Sequence, residues 1–375
     1  LCPVSKLGGE YFVHDDKSHA LVGERTGARW PLGMRVSVKL VEATPITGGL
    51  LFEMVSEPAA ADPNAPRPRL GMRARNDRRP DSSRGGGPGA PGLDLPSSLA
   101  PFVPGGVGAD YDWVSWDPRG VGASHPAMHC NNAYFKGPRR RYNPSSAKVL
   151  HYWLSRTKKY ANACAKKYPT LINNLSTRDS ARDMDRIRRA LGVNKISFYG
   201  FSYGTYLGQV YSTLYPSHLK YMVLDSTVDP RRVWWGANLD QDKAFERNIK
   251  IYFTWVAKWD SVYHLGSSEK SVYLRYSSDL VQLSMKAKGK LGPDEFADAM
   301  TSAAYYRFGW TDLARAWRAL DARHKAGQML KQYREVDLPG DDNEFAVYSG
   351  VQCTDAHWPR SWKFWHKVNS DYAAK

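Results

Sequence analysis

The stretch that decides the fold of this chain is ISFYGFSYGT, residues 196–205. It contains the pattern G-x-S-x-G centred on Ser202, and a short run of β-forming residues precedes that pattern. The glycines of such a pattern leave room for a sharp turn from a strand into a helix, which lifts the serine hydroxyl above the sheet. The sequence therefore predicts a nucleophile elbow, with Ser202 as the first candidate for chemistry.

The flanking sequence predicts helices and strands in the order that an elbow requires. An apolar helical stripe runs from Thr177, the predicted N-cap, to Gly192, which suits the left-handed end of a helix. After the elbow, a second stripe over 206–214 ends before Pro216, and residues 221–224 read as a buried strand. This order is typical of a parallel α/β sheet. The alternative is a Gly-Ser turn in an ordinary α/β protein, where the serine only caps the following helix.

Acyl transfer by a serine needs a base for its proton and fixed donors for the oxyanion. The backbone N–H of Tyr203 is one predicted donor, because it follows the nucleophile. The second is predicted in the glycine-rich loop GGPG at 86–89, where Gly87 is placed to aim its N–H at the substrate. Without the elbow as context, the same glycine-rich sequence is equally consistent with an ordinary connecting loop.

The segment DWVSWDPRGVGAS predicts another strand followed by a turn. Trp113, Val114 and Trp116 are predicted to lie in the strand. Asp117 and Arg119 are predicted to pin the loop beside the site rather than to react.

Taken together, these motifs resemble the tripeptidyl aminopeptidases of actinobacteria, which belong to the prolyl-aminopeptidase-like α/β-hydrolases. The resemblance runs from about Gly85 to the C-terminus and rests on segments in a fixed order: GGPG, DWVSWDPRGVGAS, TRDSARDMDRIRRALG, GFSYGTYLG, VLDSTVDP and VQCTD. It implies an α/β-hydrolase fold, in which a mostly parallel sheet is flanked by helices and carries a helical lid.

The resemblance also implies an activity. It implies a serine exopeptidase that releases short peptides from free N-termini through an acyl-enzyme at Ser202, with Tyr203 and Gly87 as oxyanion donors. It further implies a disulfide between Cys130 and Cys164, which favours an oxidising, secreted setting. The alternative interpretation of the cysteines is a set of free buried thiols in a cytosolic protein.

The expected organisation has three parts. Residues 1–227 are predicted to form the α/β-hydrolase core, within which the Arg- and Pro-rich segment 59–85 is irregular. Residues 228–350 are predicted to form the helical lid, because aromatic helical sequence dominates there. Residues 351–375 are predicted to begin the return to the core.

The sequence departs from the resemblance in its catalytic acid and base, which should follow Ser202 in the order Asp or Glu, then His. The segment expected to carry them, and the last strands of the sheet, are predicted to be missing. Of the later histidines, His357 is the least improbable substitute, and Asp225 is the alternative acid. We therefore expect this chain to lack the triad acid and base. The alternative functions are a truncated or inactive family member and an esterase-like hydrolase.

An aminopeptidase also needs an anionic group that holds the ammonium of its substrate, since a buried charge requires a partner. Asp240, Asp242 and Glu246 are candidates on one predicted helix, and Trp234 is a candidate for apolar contact with the substrate. The alternative is that the acids form a solvated helix face.

Composition excludes several classes of protein. The 375 residues carry a net charge of +16, but the basic residues are dispersed and no nucleic-acid-binding motif accompanies them. No C-x-x-C pair or apolar run of membrane-spanning length occurs, and no signal peptide is recognisable. We expect no cofactor, no metal, no nucleic acid and no membrane partner, and a monomer whose partner is a peptide substrate.

Overall fold

The structure is a computed structural model that divides into two compact units, Leu1–Arg79 and Pro80–Lys375, each considered by itself. The residues that it describes are 12–15, 20–23, 25–31, 34, 36–44, 49–60, 87–100, 103, 108, 110–143, 146–323, 325–335 and 342–373. The predicted irregular segment 59–85 lies outside the described residues from residue 61 onward.

The first unit is built from antiparallel strands. Its strands are β1 Phe12–Asp15, β2 Ala20–Gly23, β3 Arg29–Pro31, β4 Val38–Thr44 and β5 Gly49–Met54. The first three form one sheet in the order β1-β2-β3, and β4 and β5 form a hairpin. Phe12 and Trp30 are the buried centre of the three-stranded sheet.

The second unit contains the predicted strand–elbow–helix–strand sequence. Strand β6 spans Ile196–Phe201 and pairs in parallel with β7, Leu219–Asp225. The connecting helix α4, Tyr203–Leu214, packs against both strands and against α3, Thr177–Ala190. The prediction of a parallel sheet around residue 202 is therefore confirmed, but the predicted burial of 221–224 was wrong, because Tyr221 and Val223 are 59% and 53% exposed.

The remaining helices of the second unit lie before and after this central part. They are α1 Leu95–Leu99, α2 Ala147–Lys167, α5 Trp235–Lys258, α6 Asp260–Tyr263, α7 Glu269–Met285, α8 Pro293–Tyr305, α9 Trp310–Arg323, α10 Gly327–Glu335, α11 Asp342–Asp355 and α12 Trp362–Ala373. No helix in the described ranges is both long and apolar enough to cross a membrane.

Two hydrophobic clusters position the site. The elbow cluster comprises Val121, Met128, Tyr134, Tyr160, Cys164, Leu175, Tyr203, Trp234, Ala346, Val347 and Val351. The helical cluster lies among α5 to α10, and its largest buried side chains include Tyr252, Phe253, Phe296, Leu313 and Trp317. Helix α11 joins the elbow cluster although most of it falls within the predicted lid. The boundaries at 227/228 and 350/351 stay predictions.

The cysteine pairing implied by the resemblance is confirmed. Cys130 and Cys164 form a disulfide that joins the loop before α2 to the end of that helix. Cys353, on α11, carries a free, exposed thiol.

Two local predictions were wrong. Residues 112–118 belong to no strand, Val114 is 52% exposed, and the Trp113 indole N–H donates to the carbonyl of Gly108. A strand requires a neighbour for its ladder, and β6 pairs only with β7 among the described residues. The N-cap of α3 is Ser176 rather than Thr177, because the Ser176 hydroxyl accepts the Asp179 N–H.

Candidate active site

Ser202 occupies a strained turn between β6 and α4. Its backbone has φ 52° and ψ −122°, a conformation that residues with a side chain rarely adopt. Its N–H donates to the Asp225 carbonyl at 3.0 Å, and its own carbonyl accepts the Thr205 hydroxyl at 2.6 Å. The Val228 N–H in turn donates to the Thr205 hydroxyl oxygen at 2.9 Å. These bonds hold the turn so that the side chain of Ser202 is exposed.

The two glycines of the motif differ in what they allow. A Cβ on Gly200 would lie 2.6 Å from the Gly204 carbonyl oxygen and 2.6 Å from the ring of Phe198. The strand and the first turn of α4 can approach this closely only because Gly200 has no side chain. A Cβ on Gly204 would meet no described atom within 4 Å.

We expect Gly200→Ala to lower the free energy of unfolding by about 1–3 kcal/mol, the usual cost of overpacking. It should also slow any reaction of Ser202, because the turn must open to admit the methyl group. Gly204→Ala is the matched control and should leave stability unchanged or raise it by up to about 1 kcal/mol, since alanine favours helix. Urea denaturation measures both variants, and equal stability of the two would contradict this steric argument.

The two predicted oxyanion donors lie in separate segments. Tyr203 is the first residue of α4, so its backbone N–H has no acceptor within the helix. Gly87 belongs to a turn in which the Ala90 N–H donates to the Gly87 carbonyl at 3.2 Å. Gly89 of that turn has φ +101°, and a Cβ there would collide with the Glu344 carbonyl of α11. The glycine loop therefore rests on α11.

The loop that follows residue 116 is fixed by the two charged residues expected to pin it. Asp117 is buried, and its carboxylate accepts the N–H groups of Gly92 at 2.7 Å and Ala123 at 2.8 Å. Arg119 binds the Asp183 carboxylate through two N–H groups at 2.6 and 2.8 Å. Asp117 connects two loop segments, and Arg119 connects the loop to α3. Both side chains therefore have a supporting role.

No base contacts the serine within the described part of the chain. The Ser202 hydroxyl has no hydrogen-bond partner among the described residues, His218 bonds the Asn194 carbonyl at 3.0 Å, and His357 is exposed. The Asp225 carboxylate accepts the hydroxyls of Tyr199 at 3.1 Å and Ser226 at 3.2 Å. The expected lack of a triad acid and base stays a prediction.

The three candidate acids do lie on one helix, α5, but their surroundings differ. Asp240 binds Arg232 at 2.7 Å, and Glu246 binds Lys250 at 3.0 Å. Asp242 is exposed and forms no ion pair with any described residue, and desolvation by its neighbours raises the pKa of its carboxyl.

Tyr348, on α11, is influenced by the charge of Asp242 and lies beside the glycine loop. Burial raises the pKa of the Tyr348 phenol, and the charge of Asp242 raises it further. A Cβ on Gly89 would lie 3.0 Å from the backbone N of Tyr348. Asp242 is therefore the candidate acid that forms no ion pair with a described residue and whose charge acts on Tyr348, a neighbour of Gly89.

Trp234 lies beneath the elbow. Only 4% of it is exposed, and its ring packs against those of Tyr203 and Tyr206 with centroids 5.8 and 5.1 Å away. Its indole N–H donates to Asp355 at 3.0 Å. Sequence reasoning missed Asp355 as a member of the site, because its partners lie more than 100 positions away along the chain.

Comparison with known proteins agrees with this geometry. Residues 85–261 match a family model described as the alpha/beta hydrolase fold. The chain is 37% identical to a tripeptidyl aminopeptidase of Streptomyces lividans over 299 residues, which cover 76% of this chain and 55% of that protein.

Two mycobacterial proteins are also similar. The serine protease Hip1 of Mycobacterium tuberculosis strain H37Rv is 33% identical over 46% of this chain and 34% of its own. Carboxylesterase B of the same strain is 29% identical over 75% of this chain and 56% of its own.

The chain spans about half the length of the tripeptidyl aminopeptidases that it matches. The region matched by the family model includes the elbow, both strands beside it and all of α5. The chain thus has the α/β-hydrolase fold and is a relative of the tripeptidyl aminopeptidases of Streptomyces.

Proposed function

We propose that this protein is a serine hydrolase of the peptidase type that releases short peptides from free N-termini. The observation that carries the proposal is the exposed Ser202, held with φ 52° in a strained turn at the end of a parallel strand. Strain of this kind is retained where it serves function. The names of the tripeptidyl aminopeptidase and serine protease relatives support the peptidase assignment.

In the proposed reaction, the Ser202 hydroxyl oxygen attacks the scissile carbonyl carbon while a general base takes its proton. The N–H groups of Tyr203 and Gly87 bind the resulting oxyanion. Collapse of the tetrahedral intermediate expels the amine, which takes up a proton, and leaves an ester on Ser202. Water then hydrolyses this ester. No described histidine contacts Ser202, so reaction of the serine in this chain is the decisive test.

A fluorophosphonate probe tests the proposal. We expect the probe to modify Ser202, located by mass spectrometry of the digested protein, and Ser202→Ala to abolish that modification. Prior heat denaturation should abolish it as well, because an unfolded serine is not activated. If Ser202 stays unmodified in the native protein, the result would instead support the alternative that this chain is an inactive family member.

We further propose that Asp242 holds the ammonium group of the substrate. Of the three acids predicted on α5, it alone forms no ion pair with a described residue. The charge of Asp242 also raises the pKa of the Tyr348 phenol, and the backbone of Tyr348 lies beside Gly89 of the glycine loop, which is the proposed location of the second oxyanion donor. Asp240 and Glu246 already neutralise neighbouring cations and are less available to a substrate.

Asp242→Asn should lower kcat/KM for a tripeptide p-nitroanilide with a free amine by about 10- to 100-fold, the usual value of a charged hydrogen bond. It should leave kcat/KM for the N-acetylated tripeptide unchanged, because that substrate has no ammonium. Asp312→Asn, which removes an exposed carboxylate of α9, is the control. An equal loss with both substrates would contradict the assignment.

An esterase is the second candidate, because carboxylesterase B is a relative over three quarters of this chain. Comparing hydrolysis of p-nitrophenyl butyrate with that of the tripeptide anilide distinguishes the two activities. We also propose that the protein functions in an oxidising, extracellular setting, which the disulfide favours. The monomeric state stays a prediction.

A further inference from the structure

One carboxylate, that of Asp355, connects three elements around the elbow. It lies at the end of α11 and accepts both the N–H of Thr177 at 2.7 Å and the Thr177 hydroxyl at 2.6 Å. It also accepts the Trp234 indole N–H at 3.0 Å. These contacts join α11 to the first residue of α3 and to the residue before α5. All three donors are neutral, so the carboxylate is held by hydrogen bonds and not by a cation.

The direction of the next hydrogen bond follows from this arrangement. The Thr177 hydroxyl has one proton, and an ionised carboxylate can only accept. When Asp355 is ionised, the oxygen of Thr177 is therefore left to accept the hydroxyl proton of Tyr203, whose oxygen lies 3.0 Å away. The result is a continuous chain of donors from Tyr203 through Thr177 to Asp355.

Tyr203 is the residue whose backbone N–H is the proposed oxyanion donor. Its side chain is 8% exposed and is confined by Thr177, Ser180 and the ring of Trp234. Tyr203 carries both the confined phenol and the backbone donor. A displacement of the phenol therefore also moves the backbone N–H. Small displacements of such groups are costly, about 100-fold in rate for 1 Å.

We propose that Asp355 is a positioning residue that acts through Thr177 and Tyr203 to aim the Tyr203 backbone N–H at the oxyanion. The inference rests on the proposed function of Ser202. Asp355 touches no reacting atom. From the end of α11 it holds Thr177 and Trp234, which support the elbow.

The test is the rate constant for modification of Ser202 by a fluorophosphonate. Asp355→Asn is expected to lower it by about 10- to 100-fold. Thr177→Val removes only the hydroxyl that relays the contact, keeps the backbone N–H bond to Asp355, and should lower the rate in the same direction. The matched control is Asp279→Asn. Asp279 is buried, and its carboxylate accepts the indole N–H of Trp317 at 2.7 Å, as that of Asp355 accepts the indole N–H of Trp234. Asp279 lies in the helical cluster, so the rate should stay within about twofold.

A double-mutant cycle separates positioning from general destabilisation. If Asp355 acts through the Tyr203 phenol, adding Tyr203→Phe to Asp355→Asn should slow the reaction no further. The proposal would be overturned if the rate losses of Asp355→Asn and Tyr203→Phe multiplied in the double variant, or if both Asp355→Asn and Thr177→Val reacted at the wild-type rate. Either result would leave the proposed function intact.

Amide hydrogen exchange gives a readout that does not need activity. Asp355→Asn should accelerate exchange in the peptide that covers residues 200–206, whereas Asp279→Asn should not. If wild-type Ser202 fails to react but this selective acceleration occurs, the proposed function fails, and with it the catalytic part of the inference, while the structural support of the elbow by Asp355 through Thr177 and Tyr203 stands. Unchanged exchange at the elbow in Asp355→Asn would overturn the positioning role.

Discussion

Replacing Arg139 by methionine is expected to lower the free energy of unfolding by about 3–5 kcal/mol, the usual cost of breaking a buried ion pair from one side. Arg139 is 2% exposed, and its guanidinium binds Glu295 at 2.8 Å and Asp298 at 2.6 Å. It also donates to the Tyr142 hydroxyl at 2.8 Å. Without Arg139, two carboxylates of α8 would be left buried without their cation.

Chemical denaturation followed by tryptophan fluorescence measures this effect. Arg139→Lys should give an intermediate loss, because lysine keeps the charge but not the planar fork of donors. Arg231→Met is the control: Arg231 pairs with Asp229 on the surface, and its loss should cost less than about 1 kcal/mol. A loss in Arg139→Met no greater than in Arg231→Met would contradict this account.

The second large effect is a dependence of stability on pH that arises from Asp294. This residue is 1% exposed, and its Oδ2 atom has no hydrogen-bond partner among the described residues. Burial raises the pKa of its carboxyl to about 8; Arg139 lowers that pKa, whereas the charges of Asp298 and Glu295 raise it. The folded protein therefore holds a proton that the unfolded chain releases near pH 4.

The sign follows from that difference. Below about pH 4 both states are protonated, and Asp294 costs nothing. As the pH rises from about 4 to about 8, the unfolded state is favoured increasingly, and above about 8 the full penalty, on the order of several kcal/mol, is present. Asp294→Asn should thus raise stability most at alkaline pH and flatten the profile.

Unfolding free energies of the wild type and Asp294→Asn, measured between pH 5 and 9, check this expectation. Asp312→Asn serves as the exposed control and should leave the profile unchanged. If the wild type and Asp294→Asn have parallel profiles, the Asp294 carboxyl is not the source of the pH dependence.

The elbow could be predicted because its determinants are local. Ten consecutive residues encode β6, the turn at Ser202 and the start of α4, and the flanking helices and strand follow from nearby periodicity. Gly192 also adopts the expected left-handed conformation, with φ 70°. The N-cap prediction missed by one position, because Ser176 and Thr177 are both favoured cap residues and it is the Ser176 hydroxyl that accepts the Asp179 N–H.

The supporting contacts could not be predicted, because they join distant segments. Arg139 meets its acids 156 and 159 positions later, and no local pattern marks such a pair. The same limit applies to residues 113–116, whose composition suits a strand. Composition alone does not supply a neighbouring strand, and the ladder decides the outcome.

The separate helical cluster has an evolutionary consequence. Because α5 to α10 bury their own aromatic centre, mutations among those helices can accumulate without disturbing the packing beneath Ser202. The helical cluster can therefore tolerate changes of sequence that the packing around the turn at Ser202 would not.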